Sequence, residues 1–216
     1  MKKTIKKNIS GLLLIASFAL AITSCKKDQQ ESLRTSANDT QSAQSAPFFG
    51  FNPLNLSLCA PIPDILNVEA GNKLVLQTFA RGYQIYEVKR SATDPTSFSW
   101  VNIAPLADLY TNANFTNQVI HHFAGPSWEF IKGTEKGEKV VATKVQGVTP
   151  DASAIQWLLL KADPLRSTPD NKITFIQRIC TAGGLAPTTG ADEAHVGQLD
   201  SIPYTASYLF YTKSDL

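Results

Sequence analysis

His121 and His122 stand side by side in VIHHFAGPSWEF (119–130), with Trp128 and Glu129 just downstream. Adjacent histidines near a carboxylate invite two chemistries, metal ligation and acid–base catalysis. The spacing argues against a metal. This stretch alternates as a strand, and successive strand side chains point to opposite faces. His121 and His122 therefore cannot hold one ion unless the strand breaks between them. The one other histidine is His195, and no HExxH, CxxC or His-x-Asp/Glu spacing exists. No metal and no cofactor is expected.

Nucleophiles fare little better. Ser127 lies in GPSWE, which lacks the second glycine of the G-x-S-x-G elbow. Cys180 could meet His122 as a nucleophile–base pair, but in an exported chain a cysteine at a strand end reads better as a disulfide partner. Glu69, Glu87, Glu129, Asp151, Asp192 and Glu193 offer no spacing that singles out a glycosidase pair. Gly183-Gly184 lacks the lysine of a phosphate loop, and no G-x-G-x-x-G joins a strand to a helix. A dehydrogenase is excluded.

What remains is a polar pocket of His122, Trp128, Glu129 and Arg178. Strand alternation puts Val119, His121 and Phe123 on one face, so His121 is expected to pack beside those apolar neighbours as a partnered histidine. His122 faces the other way, and the Gly125-Pro126 turn is expected to fold Glu129 back towards it. A neighbouring carboxylate would raise the histidine pKa. Arg178, in mid-strand FIQRIC, needs a carboxylate or carbonyl partner. Trp100 and Trp157 sit inside apolar alternation and read as core. With no complete catalytic motif, a non-enzymatic binding module for a glycan, small molecule or protein is favoured. The alternative is an enzyme acting through His122 and Glu129.

The elements that must hold these residues are strands. Period-2 alternation marks KLVLQTF (73–79), YQIYEVK (83–89), SFSWVNI (97–103), NQVIHHF (117–123), EKVVATKV (138–145), ITFIQRI (173–179) and PYTASYLFY (203–211). Ala80-Arg81-Gly82 reads as a hairpin turn or a glycine bulge. TPDASAIQWLLLKADP (149–164) fits a helix with a Thr149 cap or a strand buried on both faces, and the β neighbours favour the strand. The fold is expected to be all-β, a single antiparallel sandwich or barrel over residues 51–216.

The N-terminus is a different kind of sequence. Lys2, Lys3, Lys6 and Lys7 precede an apolar run, Gly11 to Ile22, too short to span a bilayer. It ends in AITSC, which resembles the lipobox of bacterial lipoproteins, where cleavage precedes an acylated cysteine. Residues 1–24 then form a signal peptide, and residues 25–50 carry the lipidated Cys25 and a polar tether. CKKDQQE resembles surface-export signals of Bacteroidetes lipoproteins, which implies the outer membrane or cell surface of the bacterial envelope. The formal charge of the chain is +2, but the signal holds four lysines and no acid, leaving −2 without it. Nothing in that balance favours nucleic acid as a partner. With Cys25 acylated, Cys59 and Cys180 are the remaining cysteines, and an oxidising compartment lets them pair.

QIY (84–86), HFAGPSWE (122–129), WLLLK (157–161), IQRICTAGGLAP (176–187) and YTASYLFY (204–211) stand in an order that resembles the family called domain of unknown function 3455. That resemblance implies no activity and no catalytic residues. Relatives tend to carry a cysteine where Val88 stands here, and often another near Gly190 or Ala191. If those pair in relatives, this chain has lost that bridge.

Replacing Cys25 with serine is expected to abolish membrane fractionation and labelling by a palmitate analogue. Several acyl chains on one cysteine anchor firmly where a single chain binds marginally. Undiminished labelling of Cys25→Ser would refute the anchor.

Overall fold

The structure is a computed structural model that describes residues 48–214. The signal peptide, Cys25 and most of the tether lie outside the described residues. Eight strands follow one another: β1 (Asn72–Arg90), β2 (Phe98–Tyr110), β3 (Gln118–Phe123), β4 (Ser127–Phe130), β5 (Lys139–Val148), β6 (Trp157–Ala162), β7 (Ile173–Gly183) and β8 (Leu199–Lys213). Each pairs antiparallel with the next, and β8 closes onto β1 from Asn72↔Lys213 to Glu87↔Leu199. Of the two architectures the sequence leaves open, the protein adopts the barrel. The stretch at 149–164 contributes strand β6, not a helix.

Closure sorts side chains by parity wherever no bulge intervenes. On β8, Tyr204, Ala206, Tyr208 and Phe210 point inward, whereas Leu209 and Tyr211 belong to a second cluster outside the sheet. The interior core at one end is aromatic: Phe130 meets Phe210 at 6.0 Å between ring centroids, and Phe48 and Phe49 close over Phe130 at 6.0 and 6.3 Å. The packed part of the chain thus already includes Phe48, ahead of the expected start at Phe51. Each fully buried Leu, Ile or Phe contributes about 1.5–3 kcal/mol.

Ala80-Arg81-Gly82 is neither turn nor bulge. It lies mid-strand in β1, where Gly82 faces Ala107. A Cβ there would sit 2.2 Å from the Leu106 carbonyl oxygen, so only glycine lets β1 and β2 approach this closely. Bulges fall elsewhere, among them between Leu74 and Leu76, opposite Ile85/Tyr86, opposite Leu109/Tyr110, and between Ile179 and Ala182. β1, β2 and β8 also outrun their neighbours. Pairing of β2 with β3 begins only at Ala107, and that of β7 with β8 ends at Tyr204. Pro105 and Pro203 lie just beyond those points, where a missing N–H breaks no ladder bond. The result is a three-stranded rim standing above one mouth of the barrel.

The second cluster explains the segment before β1. Leu56, Ile62, Leu66 and Val68 strap across the outer face, packing with Trp157, Leu159, Phe175, Ile179 and Leu209. The strap's backbone needs partners there, and buried glutamines supply them. Gln77 bonds both the N–H and the carbonyl of Ser57, and Gln177 donates to Leu66 O at 2.7 Å. A Cys59–Cys180 disulfide fastens the strap to β7 across 121 residues.

Substituting alanine for both Cys59 and Cys180 should leave the barrel's far-UV dichroism intact. Its urea midpoint should fall by an amount worth up to about 4–5 kcal/mol, the chain-entropy value for so long a loop. Limited proteolysis should then cut within 51–68. An unchanged midpoint would mean that burial alone holds the strap.

Candidate functional site

The end opposite the Phe130 plug holds a cavity of about 760 Å³. Its wall combines Gln84 and Tyr86 from β1, Asn102 from β2, His122 from β3, Trp128 from β4, Arg178 from β7 and Tyr208 from β8. Three connections frame the mouth: the Gly125-Pro126 turn, the loop holding Thr149 to Gln156, and the β7–β8 connection through Leu185. The turn between β3 and β4 requires glycine, because Gly125 has φ 134° and a Cβ there would meet Ser127 Oγ at 2.4 Å. Each of the five stretches that carry the family resemblance contributes to this wall.

His122 is 2% exposed and faces inward opposite Trp128, with the two rings stacked at 4.4 Å and 13°. Its Nδ1 lies 2.9 Å from the Ser127 carbonyl oxygen. A carbonyl only accepts, so Nδ1 carries the proton and Nε2 is left as an acceptor. Burial lowers its pKa to about 3, and the Arg178 charge pushes the same way while the Ser127 bond opposes them. The ring is neutral at physiological pH.

The expected partnership with Glu129 is therefore corrected. Glu129 pairs with His121, not His122, and so belongs to the outer face of the sheet. The turn leaves β4 in register with β3, and the parity of a strand puts Trp128 in and Glu129 out. His121 differs as well. Its side chain is 50% exposed and its Nδ1 donates to Asp108 Oδ1 at 2.8 Å, rather than packing among apolar neighbours. The cause is the bulge opposite Leu109/Tyr110, which makes Val119 the extra residue and buries Val119 and Ile120 in succession.

Arg178 finds a carbonyl. Its Nε and one terminal nitrogen donate to Gln156 O at 3.1 and 2.9 Å. Among the described residues no carboxylate reaches ion-pair distance of it. The guanidinium also lies beside Tyr208, whose pKa burial raises and Arg178 tempers. Tyr204 meets Tyr208 at 3.3 Å between hydroxyls, and burial holds Tyr204 well above the usual phenol range. Both phenols stay protonated. Lys144 reaches Gln156 Oε1 at 2.8 Å from the solvent side.

Gln84 and Tyr86 escaped the pocket expected from sequence, though both sit on the apolar face of the alternation, where a polar residue is the signal. Tyr86 donates to Gly184 O at 2.6 Å, and Gln84 accepts from Asn102 at 3.0 Å. Gln84 Nε2 lies beside Tyr204 without reaching hydrogen-bond geometry, and the Trp128 indole N–H also lacks an acceptor. Trp100 is not core: it is half-buried under the β7–β8 connection and donates to Thr189 O at 2.8 Å. Trp157 is buried, but in the outer cluster. The described residues hold no cluster of three or more His, Cys, Asp or Glu side chains suited to a metal ion.

Residues 69–212, about two thirds of the chain, match the family model described as Protein of unknown function (DUF3455). Compared with the curated proteins and with the solved structures, the chain matches none.

Because the folded pKa of His122 lies below its unfolded value, the unfolded chain takes up that proton first as pH falls. The contribution of the neutral ring is complete above pH 6.5 and is lost as pH drops towards about 3. His122→Gln should thus show a shallower loss of stability than the native protein between pH 6.5 and 4, by up to a few kcal/mol. Parallel acid limbs in urea titrations would contradict the buried neutral ring.

Proposed function

The chain belongs to the DUF3455 family, and we propose that it is a non-enzymatic member that binds a small molecule inside the barrel mouth while Cys25 tethers it to the bacterial envelope. The observation that carries this reading is the cavity itself. It has the volume typical of small-molecule sites, about 300–1,000 Å³, and combines apolar walls with a few convergent polar groups. Eight-stranded barrels are wide enough to hold one such ligand. An aromatic plug at one end and an open mouth at the other give a cup. Anchorage rests on the lipobox-like AITSC and the polar stretch after it.

Catalysis through His122 and Glu129 is not favoured, since the sheet separates them onto opposite faces. The interior histidine is held by Ser127 O and stacked on Trp128, which suits a wall more than a moving proton carrier.

A thermal-shift screen against small metabolites, oligosaccharides and metal ions tests the reading. A ligand at a hundred times its Kd stabilises by about 2.7 kcal/mol, which for a chain of this length raises Tm by about 5–10 °C. Ala152→Trp, at the exposed cavity mouth, should remove that shift without lowering the Tm of the free protein. A ligand whose shift survives Ala152→Trp binds elsewhere, and turnover of a hit would convert the reading to an enzyme.

A further inference from the structure

The unspent chemistry of the cavity wall is mostly donors, with His122 Nε2 the acceptor among them. Of the five N–H donors of Arg178, one from Nε and one from a terminal nitrogen converge on the single carbonyl of Gln156, leaving three, of which one faces the Tyr208 hydroxyl. Gln84 is 4% exposed and Trp128 1%, and each keeps a buried N–H without an acceptor. Every one of these groups is a donor. The lining residues include Arg178 and Lys144 but no aspartate or glutamate. A buried donor left unsatisfied costs about 1–3 kcal/mol, and an unpaired half-buried cation more, so this wall is complementary to acceptor oxygens and negative charge.

We propose that the cavity binds an organic monocarboxylate with an apolar, ring-sized body. The carboxylate takes the free donors of Arg178, Gln84 and Trp128 face its oxygens or a further acceptor, and the body lies against Ile155, Leu158 and Leu160. Charge fixes the valence. Lys144 is solvent-facing and already engaged with Gln156, so the wall presents one half-buried cation. One carboxylate neutralises it, whereas a phosphate dianion would bring a second charge into a site with nothing to pair it. The planar guanidinium matches a carboxylate by two parallel bonds, which a lysine could not offer. A ligand hydroxyl would find His122 Nε2 as its acceptor.

This inference rests on the cavity being a binding site and adds the class of ligand. It is tested by calorimetric titration of the full chain at neutral pH with sodium 2-naphthoate and, separately, with its methyl ester. These probes share the ring body and differ in charge. The acid should bind at least about tenfold more tightly than the ester. Arg178→Gln should bring the two to near parity, and Arg178→Lys should restore only part of the preference. Should Arg178→Gln prove unfolded by far-UV dichroism, the comparison of the probes on the native protein still decides. Equal or tighter binding of the ester overturns the monocarboxylate, and leaves the cavity reading intact if Ala152→Trp abolishes ester binding. An acid preference that survives in folded Arg178→Gln overturns it too, as does failure of both probes to bind at millimolar concentration. The cavity reading itself falls only if ligands found in the wider screen ignore Ala152→Trp.

Discussion

The pairing of β8 with β1 turns a meander into a tube, and from then on every inward side chain competes for one enclosed volume. At the plugged end large rings fill it: Phe130 and Phe210, with Phe48 and Phe49 above them. At the other end the inward positions of β1 and β2 carry Ala80, Gly82, Gln84 and Asn102, smaller or more polar groups that leave the space open. The cup is therefore a matter of side-chain size along a uniform wall. Once the tube is closed, the polar groups inside it can reach only one another or an occupant, which is why their donors and acceptors are worth counting.

The same closure creates a second problem on the outside. The outward faces of β6, β7 and β8 carry Trp157, Leu159, Phe175, Ile179 and Leu209, too much apolar surface to leave wet. The strap covers it, and Gln77, Gln177 and Tyr211 let a non-β backbone lie on a sheet without stranding its amides. Cys180 sits in the β7 bulge with φ 51°, so the irregularity that breaks the ladder is also where the strap is fastened. Core and strap thus meet through β7, whose Arg178 looks into the cavity while Ile179 looks out.

Most of the strands were legible because alternation is a local signal: the segments at 73–79, 83–89, 117–123, 173–179 and 203–211 all lie within observed strands or within a residue of them. The Cys59–Cys180 bond was legible from cysteine arithmetic, on the expectation of an exported chain with Cys25 acylated. Side-chain parity failed where bulges shift it, as at Val119, and a bulge leaves no mark in composition. Glu129 was misplaced because a turn's exit register is set by backbone geometry, which Gly125-Pro126 permits but does not dictate. Gln84 and Tyr86 were missed because the pocket is made by residues from all eight strands, and no spacing within one strand announces it. β2 was cut short at Ile103, two residues before Pro105, since a proline reads as a strand end until one knows that only β1 pairs with it there.

Those two prolines have a further consequence. Beyond the barrel mouth, β2 and β8 each present a free edge, and free edges recruit strands from other molecules. Pro203 stands at the first unpaired position of the β8 edge and Pro105 at the second of the β2 edge. An incoming strand would begin its ladder within two residues of the last native pair, and there it meets a pyrrolidine ring in place of an amide hydrogen. The rim can stay extended, as the cup requires, without becoming a seed for intermolecular cross-β growth.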